Sequence, residues 1–371
     1  MEKVYIGMDV HSKTIFNVVQ NGSGEVLMEC SIQTTEESIK MFLTKLGDGN
    51  LPAGTEIALE SGQQATWLSK FLSSIGMKPV VIDAREVRAK ARRIGQKSDR
   101  RDAFEICDGW RRGIYDSIVY IPDEKTQNLR NILMRRRHYV NICTREVNGA
   151  KYLLRANGLS TSGILLKKEA GWENLCENIE QKSFAVHTSM HHDVWSVSAE
   201  KVKELEAALK EALLSFKDIM EILMSAPCVG VLTAATYIAI IGTPIRFPDS
   251  SHVISYAGLA TSTYDTGETE RHGHITRRGS SELRSMLCEA AQHARNPQNP
   301  LNPYFMRVCA KHGYKRAVIA VAHRLARILY QMWKHMQYFD VGKLNLEHGE
   351  YQKTRKTYYR IKAVKAQIVV K

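Results

Sequence analysis

Four carboxylates in the first third of the chain, Asp9, Glu60, Asp99 and Asp102, have spacings that suit divalent-metal chemistry on phosphate. Asp9 lies near the end of the apolar run Val4-Tyr5-Ile6-Gly7-Met8-Asp9-Val10, which reads as a buried central strand with the acid at its tip. Glu60 closes Ile57-Ala58-Leu59-Glu60 in the same way. Asp99 and Asp102 are three apart, so on a helix they share one face. Four hard oxygen ligands facing a phosphate would bind one or two Mg²⁺ ions and stabilise an in-line displacement. Any one acid alone would read as a solvated surface group. Two strand ends and one helical face together make a candidate centre.

Those acids need elements to carry them. Thr14 to Gln20 alternates as a second strand, and Asn21-Gly22-Ser23-Gly24 is a hairpin turn into a third, Glu25 to Ile32. Thr34 with Glu37 reads as a capping box, followed by a helix bearing Ile39, Phe42, Leu43 and Leu46. A strand at Glu56 to Glu60, a helix through Trp67, Leu68, Phe71 and Leu72, a strand at Pro79 to Asp83 and a helix from Asp99 to Trp110 complete the series. Three strands, then helix-strand-helix-strand-helix, is the element order of an RNase H-like domain. The expected fold class is therefore α/β plus α: an RNase H-like domain over 1–122, then helical parts.

Two long amphipathic patterns follow, one from about Glu124 to Asn157 and one from about Ala199 to Met224, separated by an irregular middle. They suggest an antiparallel coiled-coil arm over 123–224, with an ordinary helical bundle as the plainer alternative. Ser225 to Ala235 outlines a helix-hairpin-helix turn, whose backbone amides could meet a phosphate. Further helices are expected near Ser280 to Arg295 and Ala317 to Met336, giving a mainly helical domain over 225–340 and a basic tail over 341–371.

The 371 residues carry a formal net charge of +13, with a sequence pI near 9.3, so the summed field favours a polyanionic partner such as nucleic acid. The basic stretch beside the acids, Arg92, Arg93, Lys97, Arg100 and Arg101, suits a phosphodiester backbone, or is a solvated helix face. No apolar run reaches the roughly 20 residues of a membrane span. No secretory leader opens the chain, so a cytoplasmic protein with no membrane partner is expected. Seven scattered cysteines without CxxC spacing read as reduced thiols. His187, His191, His192 and Asp193 have a spacing that could hold zinc, but fall in the irregular middle. Trp67 and Trp333 read as core.

Tyr5-Ile6-Gly7-Met8-Asp9, Leu59-Glu60-Ser61-Gly62 and Lys97-Ser98-Asp99-Arg100-Arg101-Asp102-Ala103 together resemble the DEDD signature of the insertion sequence one-ten family of transposases. Ala226-Pro227-Cys228-Val229-Gly230, Arg246-Phe247-Pro248, Tyr256-Ala257-Gly258-Leu259 and Gly273-His274-Ile275-Thr276-Arg277-Arg278-Gly279 resemble the C-terminal domain of that family. The resemblance runs in order from about Lys3 to Met336. It implies a RuvC-like nuclease domain with a Mg²⁺-dependent DEDD site, a coiled-coil arm, and a domain supplying a serine that joins covalently to DNA. It also implies a structured non-coding bridge RNA that selects donor and target DNA, a homo-oligomer (dimer or tetramer), and a bacterial, nucleoid-associated setting.

At the family's serine position this chain has Thr266, before Gly267. Its hydroxyl is a possible nucleophile, although the β-branch restricts χ1; Ser262 is the alternative. Arg271, Arg277, Arg278 and Arg284 are the basic residues expected to hold DNA there. Three other readings stay open. A junction-resolving nuclease would use the acids and water, a non-catalytic nucleic-acid-binding relative would use neither, and a sugar-kinase or actin-like ATPase would need a second glycine-rich phosphate loop that the chain lacks.

Overall fold

Strand β1 (Val4–Val10) turns Ile6 and Met8 to one side and Tyr5, Gly7 and Asp9 to the other, and both sides are covered. It runs antiparallel to β2 (Thr14–Asn21), which is antiparallel to β3 (Val26–Gln33). On its other edge it is parallel to β4 (Glu56–Glu60), itself parallel to β5 (Pro79–Ile82). The order β3-β2-β1-β4-β5 is that of an RNase H-like sheet. The computed structural model describes residues 3–46, 54–90, 98–159, 165–177, 182–266 and 269–344, with backbone alone at 176–177, 182–183, 263–266 and 269–272. They fall into two units, Met1–Pro122 and Asp123–Lys371.

In the first unit, α1 (Glu36–Leu46) and α2 (Ala65–Ser74) bury Ile39, Phe42, Leu43, Leu68, Phe71 and Leu72 against the Ile6 and Met8 face. Helix α3 (Ala84–Lys90) follows β5. The opposite face is covered by α4 (Asp99–Arg111), whose Ala103 and Cys107 meet Val18 and whose Ile106 meets Ala58 and Ile82. At the crossing of α4 over β1 there is no room for a side chain. A Cβ on Gly7 would lie 2.4 Å from the Ala103 carbonyl oxygen and 2.6 Å from Cys107 Cβ.

Two local expectations change. Thr35, not Thr34, caps α1, its hydroxyl accepting from the Ser38 N–H at 3.3 Å, while Thr34 donates to the His11 carbonyl at 2.9 Å. Trp67 is 37% exposed and stacks on Phe71, with ring centroids 6.0 Å apart. It sits on the outer rim of the α2 stripe because Leu68 and Leu72 take the inward positions.

The second unit opens with α5 (Glu124–Ala156), capped by Asp123, whose carboxylate accepts from the Thr126 N–H at 2.8 Å. After α6 (Glu169–Glu177) comes α7 (Lys182–Leu213). Helices α5 and α7 lie antiparallel: Arg136 bonds Glu206 at 2.6 Å, and ten residues on, Glu146 bonds His191 at 2.7 Å. Helix α7 starts well before Ala199, so His187 to Asp193 are helical rather than irregular. The buried Phe184, Thr188 and Trp195 recur at helical spacing there, a stripe masked in the sequence by the polar residues between them. Trp172 is fully buried among Val147, Ala150, Leu166 and Trp195.

Beyond lie α8 (Lys217–Met224), α9 (Val231–Ile241), α10 (Ser250–Tyr256), the hairpin β6 (Thr261–Thr266) with β7 (Thr269–Ile275), α11 (Ser281–Gln292), α12 (Asn302–His312) and α13 (Tyr314–Lys334). One continuous core runs from Leu129 and Leu133 of α5, through Leu209 and Leu213 of α7, to Leu325 and Leu329 of α13. The Arg130 guanidinium donates to the Ala239 and Ile240 carbonyls, satisfying groups that the end of α9 leaves open. Tyr330, fully buried, donates to the Phe247 carbonyl at 2.8 Å, and Trp333 is buried beside it. Among the described residues, no helix is long and apolar enough to cross a membrane, and six cysteines are free thiols.

Candidate metal centre

The period of two along a strand and of 3.6 along a helix put the acids of the first unit toward the same end of one sheet face. Gly7 and Asp9 of β1 face α4, as do Ala58 and, two residues on, Glu60 of β4. The sheet-facing stripe of α4 runs Ala103, Ile106, Cys107. Continued back one turn, it carries Asp99 and Asp102 over the end of β1. Their place in the first turn also suits the positive end of the helix dipole.

One oxygen each of Asp9 and Asp99 and a ring nitrogen of His11 lie within 4.8 Å of one another, the only such group of three among the described residues. His11 Nε2 is 3.0 Å from Asp9 Oδ2 and 3.4 Å from Asp99 Oδ1. Burial pushes the Asp9 carboxyl above the usual carboxylate range; His11 pulls it back, and the negative charges of Asp102 and Asp99 add to the rise. Glu60 ends the neighbouring strand, one step past the Met8–Leu59 pair and so beside Asp9. Asp9 is buried, Glu60 and Asp102 are half-buried, and Asp99 is exposed.

The donor set fits a divalent cation. Its oxygens are hard ligands, and a bound cation would offset both the burial and the carboxylate repulsion that raise Asp9. His11 lies between two carboxylates, its Nε2 within reach of both. Sequence reasoning missed it; the signal was its position two residues after Asp9, near the strand's end.

Arg100 and Arg101 sit on the first turn of α4, and Arg100 pairs with Glu29 of β3 at 2.7 Å. Arg92, Arg93 and Lys97 lie outside the described residues. In the second unit, Thr266 is the last residue of β6 and pairs with Thr269 across the hairpin end; its side chain and that of Arg271 lie outside the description. The Ser262 hydroxyl donates to the His274 carbonyl at 3.1 Å. Arg277, with φ of 54°, and Arg278 are exposed. Arg284 instead donates from Nη1 to the Ala257 and Arg277 carbonyls at 3.2 and 3.3 Å, tying the Tyr256 to Leu259 turn to the segment after β7. That turn is close-packed: a Cβ on Gly279, at φ of 126°, would lie 2.2 Å from the Tyr256 carbonyl oxygen. His191 and His192 bond to Glu146 and Glu169 respectively, each a partner on another helix.

Comparison with known proteins gives two family matches. Residues 6–157 match a DEDD transposase family typified by IS110, and residues 220–305 match the family described as Transposase IS116/IS110/IS902. The transposase for insertion sequence element IS1533 of Leptospira borgpetersenii is 26% identical over 351 residues, which is 90% of this chain and 97% of that protein. The transposase for IS1111A of Coxiella burnetii is 22% identical over 309 residues, 79% of this chain and 81% of the relative. A 43.6 kDa protein of insertion element IS110 from Streptomyces coelicolor is 29% identical over 142 residues. That match spans 38% of this chain and 35% of the relative's own length.

Proposed function

Starting from the fact that this chain belongs to the IS110 family of DEDD-type transposases, we propose that it is the site-specific DNA recombinase of an insertion sequence, guided by a structured bridge RNA. The observation that carries the reading is the convergence of Asp9, His11 and Asp99 on a sheet of the RNase H-like order, inside the matched DEDD region. In this reading the first unit is RuvC-like, α5 and α7 form a coiled-coil arm, and the protein acts in the bacterial cytoplasm, at the nucleoid, as a dimer or tetramer. Residues 1–122, 123–224, 225–340 and 341–371 are its nuclease, arm, C-terminal transposase and tail regions.

Asp9, Glu60, Asp99 and Asp102 would hold one or two Mg²⁺ ions. Bound there, Mg²⁺ would neutralise charge on a DNA phosphate and lower the pKa of a hydroxyl. The chain's own groups do the rest. Asp9 contributes its carboxylate from a site where burial favours the protonated form, so ionisation and cation binding are coupled. Asp99 and Asp102 are held by the first turn of α4, and Glu60 by the end of β4. The Thr266 hydroxyl attacks phosphorus, its oxygen forming an ester bond as one P–O bond of the DNA breaks. The hydroxyl's proton passes to solvent, and the departing deoxyribose oxygen takes up a proton. Attack by a second DNA strand's hydroxyl reverses these steps, joins the strands and restores Thr266. Arg92, Arg93, Lys97, Arg100, Arg101, Arg271, Arg277 and Arg278 would contact phosphates of the DNA backbone, and Arg284 braces its own turn.

The test is recombination of donor and target DNA with Mg²⁺ and RNA transcribed from the flanking non-coding sequence, comparing the parent with Thr266→Ser and Thr266→Ala. Activity in the parent and serine forms, with covalent protein–DNA product lost in the alanine form, is expected. An alanine form as active as the parent would remove Thr266 from the reaction and leave water or Ser262 as the nucleophile. Recombination unaffected by omitting the RNA would refute the guide.

A further inference from the structure

A second place suited to a polyanion lies within the second unit. Helices α12 and α13 and the segment after α13 enclose a cavity of about 880 Å³. Arg324 and Arg327 line it from α13, Tyr304 from α12, and Tyr338 and Lys343 from the closing segment. The Arg324 guanidinium lies over the Tyr304 ring at 4.7 Å from its centroid, and Arg307 lies over the same ring at 5.5 Å.

The cations of the lining outnumber its acids, and among the described residues neither Arg324 nor Arg327 has a carboxylate partner. The one acid in the lining, Asp340, already accepts the Gly342 N–H at 2.8 Å. Burial, with Arg307 and Arg327 close by and Tyr304 opposing, holds the Arg324 guanidinium below its usual range. Arginine stays charged in proteins, so the strain is relieved by an incoming anion, not by proton loss. Tyr338 is 51% exposed at the rim, the kind of aromatic face on which an unpaired base stacks.

We propose that this cavity binds an unpaired nucleotide of a DNA or RNA strand, the phosphate against Arg324 and Arg327 and the base against Tyr338. The proposal rests on the chain being an enzyme of nucleic acids and adds a recognition site that the acid centre does not use. A duplex keeps its bases paired and offers only phosphates to a protein surface. A cavity with both guanidinium groups and an aromatic rim matches a strand whose base is free to enter it.

The test measures binding of the full chain to short labelled single-stranded RNA, single-stranded DNA of the same base sequence, and duplex DNA, by fluorescence anisotropy across a salt series in chelator. Each is compared with Arg327→Gln, Arg324→Gln/Arg327→Gln and Tyr338→Ala, whose folding is followed by thermal melts. Arg327 and Tyr338 are exposed, so the single variants test the site even where the double variant is destabilised. The expected result is about a tenfold loss of single-strand affinity in the double variant, with the salt slope falling by roughly 0.7 per lost phosphate contact. Tyr338→Ala should weaken single strands and leave the duplex unchanged, and the RNA and DNA arms identify which strand is preferred. Equal losses on duplex and single strands, or no loss in any variant, would overturn the site. Unchanged binding in a protein that still recombines DNA refutes this inference alone; cavity-dependent binding in a protein that cannot recombine refutes the proposed function alone.

Discussion

Gly7→Ala is the sharpest probe of how the acid centre is built. The added methyl would lie 2.4 Å from the Ala103 carbonyl oxygen, 2.5 Å from the Cys107 amide nitrogen and 2.6 Å from Cys107 Cβ, where ordinary contact begins at 3.4 Å. Two of these three neighbours are backbone, so no rotamer change relieves the clash. Helix α4 must retreat from β1 by about 1.0 Å, the difference between 3.4 and 2.4 Å. Overpacking of this kind costs about 1–3 kcal/mol. The larger effect is on function, because Asp99 and Asp102 ride on the displaced helix one turn away, whereas Asp9 stays with the strand. Metal ligands tolerate about 0.2 Å, and a displacement of about 1 Å at a reacting centre costs on the order of 100-fold in rate. The assay is Mg²⁺-dependent DNA cleavage against Mg²⁺ concentration, with a thermal melt on the same sample. The variant should stay folded, melt several degrees lower, require more Mg²⁺ and cleave about 100-fold more slowly. Cleavage within a few-fold of the parent at the same Mg²⁺ requirement would refute the argument that α4 positions the acids.

Three further outcomes follow from individual groups. The raised Asp9 carboxyl means that the folded unit keeps this proton to higher pH than the unfolded chain does. Its contribution to stability is therefore fully present below the ordinary carboxylate range and is lost as pH rises through the raised value. In chelator near neutral pH, Asp9→Asn should then melt above the parent, and added Mg²⁺ should stabilise the parent but not the variant; melts across pH check both. Burial pushes the Cys107 thiol up to about 12, so in the native protein it should resist a thiolate-directed reagent while exposed thiols react, as mass spectrometry of the labelled chain would reveal. Tyr330→Phe removes the donor to the buried Phe247 carbonyl and should cost about 1–2 kcal/mol in denaturant unfolding, with Mg²⁺ binding at the acid centre unchanged.

Much of the first unit was legible in the sequence because its signals are local. The apolar run Val4 to Val10, the Asn21 to Gly24 turn and the helical stripe of Ala103, Ile106 and Cys107 each act within a few residues. Where signals are local but ambiguous, the structure differs by small amounts, with Thr35 rather than Thr34 at a cap and Trp67 at the rim rather than in the core. The difference is larger in α7, whose N-terminal half carries His187, His191 and His192 between its buried positions and so resembles a loop in composition. Trp172 and Trp195, far apart in the chain, are what hold that half against α5.

The acids, their strand-end and helix-face positions, the excess of positive charge and the family resemblance can all be read from residue order alone. These depend on residue type and on periods of two and 3.6, which a chain carries wherever it folds. Packing of distant elements put His11 between Asp9 and Asp99, made Gly7 set the height of α4 above the sheet, and made Arg284 brace a turn. It also placed Arg324 and Arg327 in one cavity with Tyr304 of another helix. Each is a distance between residues remote in sequence or on separate elements. Such distances are set by how whole helices and strands pack, and no local pattern encodes them.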